Sequence, residues 1–136
     1  MTEKGEGFVT IAEVSRQYDI SADTLRYYER VGLIPSVSRN KSGFRDYSEE
    51  DCRWVSFIKC MRRAGVQVES LIEYVALYQR GDGTQEARKQ LLIEQRDLLK
   101  AKTEEMLATL QLLESKIERY DQWNSRWEST MAQFKG

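Results

Sequence analysis

The chain has 136 residues, 40% of them hydrophobic and 32% charged, with 21 basic against 22 acidic side chains and no histidine. That balance excludes a disordered chain, and no apolar run approaches the ~20 residues of a membrane-spanning helix. The stretch MTEKGEGFVT carries no apolar signal core, so a cytoplasmic location with no membrane partner is expected. The two cysteines are then expected as free thiols. A net charge of −1 gives no global nucleic-acid signal. The basic residues gather instead between residues 26 and 63, interleaved with acidic ones, so a DNA-binding face requires the fold to segregate the two signs.

Thr10 and Glu13 have the spacing of a capping box, and Ile11, Val14 and Tyr18 share one helical face. These predict a first helix over 11–18. Asp19-Ile20-Ser21 reads as a turn. Ser21 then caps a second helix, which Gly32 ends in the left-handed conformation and Pro35 follows. Two short helices joined in this way make a helix-turn-helix, whose second helix enters the major groove led by its N-terminal residues. Ser21, Thr24, Arg26 and Tyr27 are therefore candidate contacts to double-stranded DNA. Adjacent tyrosines cannot both face one packing surface, so Tyr28 is expected inward and Tyr27 outward, with its hydroxyl toward phosphate. Two short amphipathic helices also suit many other all-helical proteins.

The stretch SVSRNKSGFRDYS places Arg39, Lys41 and Arg45 around the turn formers Asn40 and Ser42-Gly43. Two short extended arms around that turn would form a basic wing; a charged surface loop fits the same residues. Ser48 caps a third helix whose first turn holds Glu49, Glu50 and Asp51, where the helix dipole favours anions. Its apolar stripe runs through Trp54, Val55, Ile58 and Met61 to Gly65. Val68, Leu71, Ile72 and Val75 predict a fourth helix ending near Gly81-Asp82-Gly83.

From Thr84 the character changes. Leu92, Leu99, Met106, Leu113 and Tyr120 recur every seventh residue, and Leu110 and Ile117 fill the alternate seam positions. Arg96 and Thr103 interrupt that alternate row. A single apolar seam predicts a dimerisation helix over 84–121 pairing with a second copy; folding back on its own head is the alternative. Residues 122–136, with Trp123, Trp127, Met131 and Phe134, read as an aromatic tail that docks on a surface.

The order of helix-turn-helix, basic wing, second helix pair and heptad helix resembles the MerR family of bacterial transcription regulators. The residues that carry the resemblance are TIAEVSRQYDISADTLRYYERVGLI and NKSGFRDYSEEDCRWVSFIKCMRRAGV. It implies a mainly all-α protein: a winged helix-turn-helix head over 8–80 and an antiparallel coiled coil joining a homodimer. It also implies a regulator that binds a palindromic promoter spacer and activates RNA polymerase there by distorting the DNA. Deformation energy, more than new base contacts, then decides transcription. Residue by residue, Thr24, Arg26 and Tyr27 match recognition-helix positions and Arg16 matches a basic position on the first helix. Arg45 and Tyr47 match the Arg-x-Tyr of the wing, and Arg62 or Arg63 matches a phosphate contact.

The inducer is constrained by what is missing. No cysteine follows residue 60, and Cys52, Cys60 and carboxylates ligate soft metals or iron–sulfur clusters poorly. No metal or cofactor is expected, and only about 15 residues follow the coil, too few for a ligand domain. Cys52 lies in the first turns of the third helix beside Arg53, which favours the thiolate, while Glu49, Glu50 and Asp51 oppose it. A cysteine there resembles the NmlR/AdhR-like branch, which responds to aldehydes and other electrophiles, so Cys52 is the candidate sensor. A small buried residue is the alternative. Cys60, about 12 Å further along the same helix, is too far for a disulfide and is expected in the core. The rival readings are a noncovalent small ligand, a repressor, and an enzyme or scaffold. No nucleophile–base pair or phosphate loop supports an enzyme.

Overall fold

In the computed structural model, which describes residues 7–135, five helices and a two-stranded ribbon follow in the order α1 (Ile11–Tyr18), α2 (Ala22–Val31), β1 (Ser38–Arg39), β2 (Arg45–Asp46), α3 (Glu49–Arg63), α4 (Val68–Arg80) and α5 (Gln85–Lys135). The local chemistry sets these limits. Thr10 accepts the Glu13 amide at 3.2 Å, and the Glu13 carboxylate accepts the Thr10 amide at 2.9 Å, completing the capping box. Ser48 and Asp51 build the same device on α3, at 3.1 and 2.9 Å. Ser21 accepts the Thr24 amide at 3.0 Å to start α2. At the other end of α2, Gly32 adopts φ 87°. A side chain there would lie 3.7 Å from the nearest Ile72 methyl, so the demand for glycine comes from the backbone angle and not from space.

The core of the head lies where α1, α2, α3 and α4 converge. Val14, Leu25, Leu33, Val55 and Ile58 are fully enclosed, and Leu71 and Val75 close the core from α4. The wing pairs Ser38 with Asp46 and Arg39 with Arg45 in antiparallel register. Asn40 folds the tip, its side-chain oxygen accepting the amides of Ser42 and Phe44. Val9 and Tyr47 exchange backbone hydrogen bonds of 2.9 and 2.8 Å, tying the segment before α1 to the end of the wing. The all-helical expectation thus holds, with two short strands as its sheet.

The chain divides into two units at Arg96. In the first, Gln95 donates to Ser70 at 3.0 Å and Arg88 donates to Thr84 at 3.0 Å, fastening the start of α5 to α4 and to its own cap region. In the second, large apolar side chains are bare: Met106 is 72% exposed, Ile117 60% and Tyr120 71%. The segment read from sequence as a separate tail is the continuation of α5 as far as Lys135. The side chain of Phe134, named with that tail, lies outside the described residues.

Candidate nucleic-acid interface

Tyr28 is 6% exposed and Tyr27 38%, so the two neighbours part as their spacing requires. The Arg30 guanidinium lies 5.5 Å from the centre of the Tyr27 ring, a cation–π contact that orients the outward tyrosine. Arg26 is exposed but bonds Asp23 at 2.9 Å. This surface pair is worth little and can open to a phosphate. Thr24 is half-buried, its hydroxyl accepting from Ser21 at 2.8 Å within the cap. Arg16, Ser21, Arg39, Lys41, Arg62 and Arg63 are also exposed. Arg39 donates to the Gly43 carbonyl at 3.1 Å, stiffening the wing. Arg62 donates to the Val66 carbonyl at 2.6 Å and closes the α3–α4 turn. Phe44, 70% exposed at the wing tip, was not among the residues singled out from sequence.

Arg45 and Tyr47 occupy different places from those expected of them. Arg45 is turned back onto α2, where its Nε donates to Glu29 at 2.7 Å, with side chains only 20% and 14% exposed. The other Glu29 oxygen accepts the Val37 amide at 3.1 Å. Tyr47 is fully buried, and its hydroxyl has no hydrogen-bond partner. Burial pushes its pKa up to about 12, against the lowering effect of Arg45. The reason is positional: the Val9 bridge pins the Tyr47 backbone at the base of the wing, over the core.

Lys59 was in the basic window but not among the candidate site residues. Its ammonium donates to the carbonyls of Tyr18 and Asp19. It therefore satisfies the C-terminus of α1, where the helix dipole favours a cation, and fixes the helix-turn-helix turn onto α3.

Of the two cysteines, Cys60 differs from expectation. Cys60 is exposed, because the stripe Trp54, Val55, Ile58 and Met61 faces the other side of α3. Cys52 is buried at 9% exposure. Burial pushes its thiol pKa up, a hydrogen bond from Tyr18 pulls it down, and Asp51 and Glu49 raise it further. Cys52 and Tyr18 share the wall of an open depression of about 420 Å³ with Val9, Gln17, Glu49 and Arg53. Among the described residues, no three metal-ligating side chains gather, and no helix is long and apolar enough to cross a membrane.

A winged helix-turn-helix head with outward basic and hydroxyl groups on α1, α2, the wing and the end of α3 defines the class as DNA-binding regulators. The comparisons agree. The sequence model of the MerR HTH family regulatory proteins matches residues 9–77, and that described as MerR, DNA binding matches residues 52–116. The chain is 57% identical over 91 residues to the HTH-type transcriptional regulator AdhR of Bacillus subtilis, a match covering 67% of this chain and 65% of that protein. Among solved structures, a MerR family transcriptional regulator from Listeria monocytogenes superposes with a TM-score of 0.89 at 44% identity, covering 93% of this chain and 96% of that one. HiNmlR, a MerR family regulator lacking the sensor domain and bound to promoter DNA, gives a TM-score of 0.76 at 31% identity over 85% and 91% of the two chains. The chain belongs to the MerR family of helix-turn-helix regulatory proteins.

Proposed function

We propose that the protein is a cytoplasmic, homodimeric transcription regulator that binds a palindromic promoter spacer and activates RNA polymerase by distorting that DNA in response to an electrophile or aldehyde sensed at Cys52. The observation that carries the DNA-binding part is the outward set Arg16, Ser21, Arg26, Tyr27, Arg39, Lys41, Arg62 and Arg63 on a head matched by the family over 9–77. These groups contact phosphates and fix the register, while the N-terminal residues of α2, Thr24 among them, meet the bases. Arg45 and Tyr47 support the interface from within. In this reading 8–80 binds DNA, 84–121 dimerises through Leu92, Leu99, Met106, Leu110, Leu113, Ile117 and Tyr120, and the same helix runs on to Lys135. The bare seam of α5 supports pairing with a second copy, since an apolar face of that extent needs a partner.

The sensor part rests on the depression beside Cys52. Addition of the thiol to a small aldehyde forms a carbon–sulfur bond, and the thiol proton moves to the carbonyl oxygen. Burial raises the Cys52 thiol pKa, and the hydrogen bond from Tyr18 offsets part of that rise. An adduct in this space would separate Cys52 from Tyr18 and shift α3 against α1, the helix that Lys59 binds to it.

The test is promoter transcription in vitro with Cys52→Ala, beside peptide mapping of formaldehyde- or methylglyoxal-treated protein. Induction should vanish while operator affinity is retained, and the adduct should map to Cys52 and not to the more exposed Cys60. Undiminished induction in Cys52→Ala would move the inducer to a noncovalent site.

A further inference from the structure

An aromatic cluster between α3 and α4 takes no part in the DNA contacts or the thiol chemistry proposed above. Trp54 and Phe57 are three residues apart on α3, and Tyr74 and Tyr78 four apart on α4, so each pair shares one helix face. Trp54 meets Phe57 at 6.1 Å, Tyr74 at 6.0 Å and Tyr78 at 5.0 Å between ring centres, each edge to face. Trp54 is buried and Tyr78 exposed, so the cluster is rooted in the core and opens to solvent. With Glu50 and Arg53 the four rings line an open groove of about 300 Å³. That volume is at the lower end for small-ligand sites, which are also walled mainly by apolar and aromatic groups.

The charges around the groove are unequal. Glu50 accepts the Tyr78 hydroxyl at 2.6 Å, so its carboxylate is already engaged in fixing one wall. Arg53 is exposed and has no ion-pair partner among the described residues. The Arg88 guanidinium lies 5.4 Å from the centre of the Tyr78 ring, with its Nε donating to Thr84 at 3.0 Å. It sets a second positive charge at the same wall. Two guanidinium groups therefore stand against one carboxylate that is already hydrogen-bonded. A cation would be repelled here, and a neutral ring would leave Arg53 unused. A planar anion suits both features. Its ring packs on the aromatic walls, and its carboxylate takes the two parallel N–H bonds of a guanidinium fork.

We infer that the groove of Trp54, Phe57, Tyr74 and Tyr78 is a binding site for a small planar aromatic carboxylate, anchored by Arg53. The inference goes beyond the DNA-binding and thiol reading, because binding here is noncovalent and needs only the head. Arg53 also lines the depression beside Cys52, so the two sites adjoin along α3 without sharing the thiol.

Equilibrium dialysis of the full chain tests this with three probes of one ring system: 2-naphthoate, the neutral 2-naphthalenemethanol and the cationic 2-naphthylmethylammonium. 2-Naphthoate is expected to bind about tenfold more tightly than either of the others. Arg53→Gln, at an exposed position, should bring 2-naphthoate down to the level of the alcohol. Phe57→Leu changes no charge and should weaken 2-naphthoate about fivefold by removing an aromatic wall. Circular dichroism checks that both variants are folded. No retention of 2-naphthoate would overturn the inference, as would equal or tighter binding of the alcohol or the ammonium. So would binding that survives either substitution, which would place the ligand elsewhere, as at the exposed Trp123 and Trp127.

Discussion

Glu29 on α2 holds Arg45 on the wing through a 2.7 Å ion pair that is largely shielded from water. The recognition helix and the wing are therefore one rigid reading head. Removing one partner strands the other charge in a partly buried place, and the Val37 amide loses its acceptor as well. Glu29→Ala should destabilise the protein by roughly 1–3 kcal/mol, read by urea denaturation, and should weaken operator binding without touching a DNA contact. An unchanged midpoint would show that the pair is only incidental.

Tyr47 gives an opposite prediction. Its hydroxyl is buried without a partner, so Tyr47→Phe should be neutral or stabilising by about 1 kcal/mol. The alkaline limb follows by linkage. Because folding raises this pKa from 10.0 to about 12, the native state holds the proton longer than the unfolded chain. The associated stability is complete below pH 10 and is lost as pH rises toward 12. Tyr47→Phe should lose less stability than the parent between those limits, measured by denaturation at stepped pH. Operator affinity near neutrality should be unaltered; a clear loss would put the hydroxyl at the DNA after all.

Arg16 and Lys41 stand on α1 and the wing tip, exposed to solvent. As the proposed phosphate contacts they would carry no sequence information. Each alanine variant should weaken specific and nonspecific DNA alike and reduce the slope of log affinity against log salt by about 1. Fluorescence anisotropy across a salt series reads both quantities. A variant that altered operator preference at constant slope would contradict the assignment.

Lys59 joins α3 to the last carbonyls of α1. Lys59→Met keeps most of the apolar stem and removes the donor. It should cost about 1–2 kcal/mol and speed hydrogen exchange at the helix-turn-helix turn before global unfolding. Exchange confined to α4 would place the effect elsewhere.

Much of this was legible in the sequence, for reasons that are local. Thr10-Glu13 and Ser48-Asp51 announce their helices because capping needs only residues three apart. The parting of Tyr27 and Tyr28 follows from helical periodicity alone. Cys60 was recoverable from the same rule, since it falls off the stripe through Ile58 and Met61. The full extent of α5 was also recoverable, because neither glycine nor proline interrupts the chain from Thr84 to Lys135. Arg45 and Tyr47 were not. An arginine in a basic loop reads as a phosphate ligand until its partner, sixteen residues away on another element, is seen. Burial of Tyr47 depends on a backbone bridge to Val9 that no local pattern encodes.

The bare seam of α5 has a consequence for dosage. A subunit that reaches its operator only after finding its twin responds to its own abundance more steeply than a monomeric repressor does. At scarce concentrations promoter occupancy climbs with the square of the number of chains, so a twofold change in expression would alter occupancy about fourfold. Halving the copy number of the gene would then lower occupancy whatever the inducer level, and a truncated chain retaining the helix but lacking a head would silence the intact protein by occupying its seam.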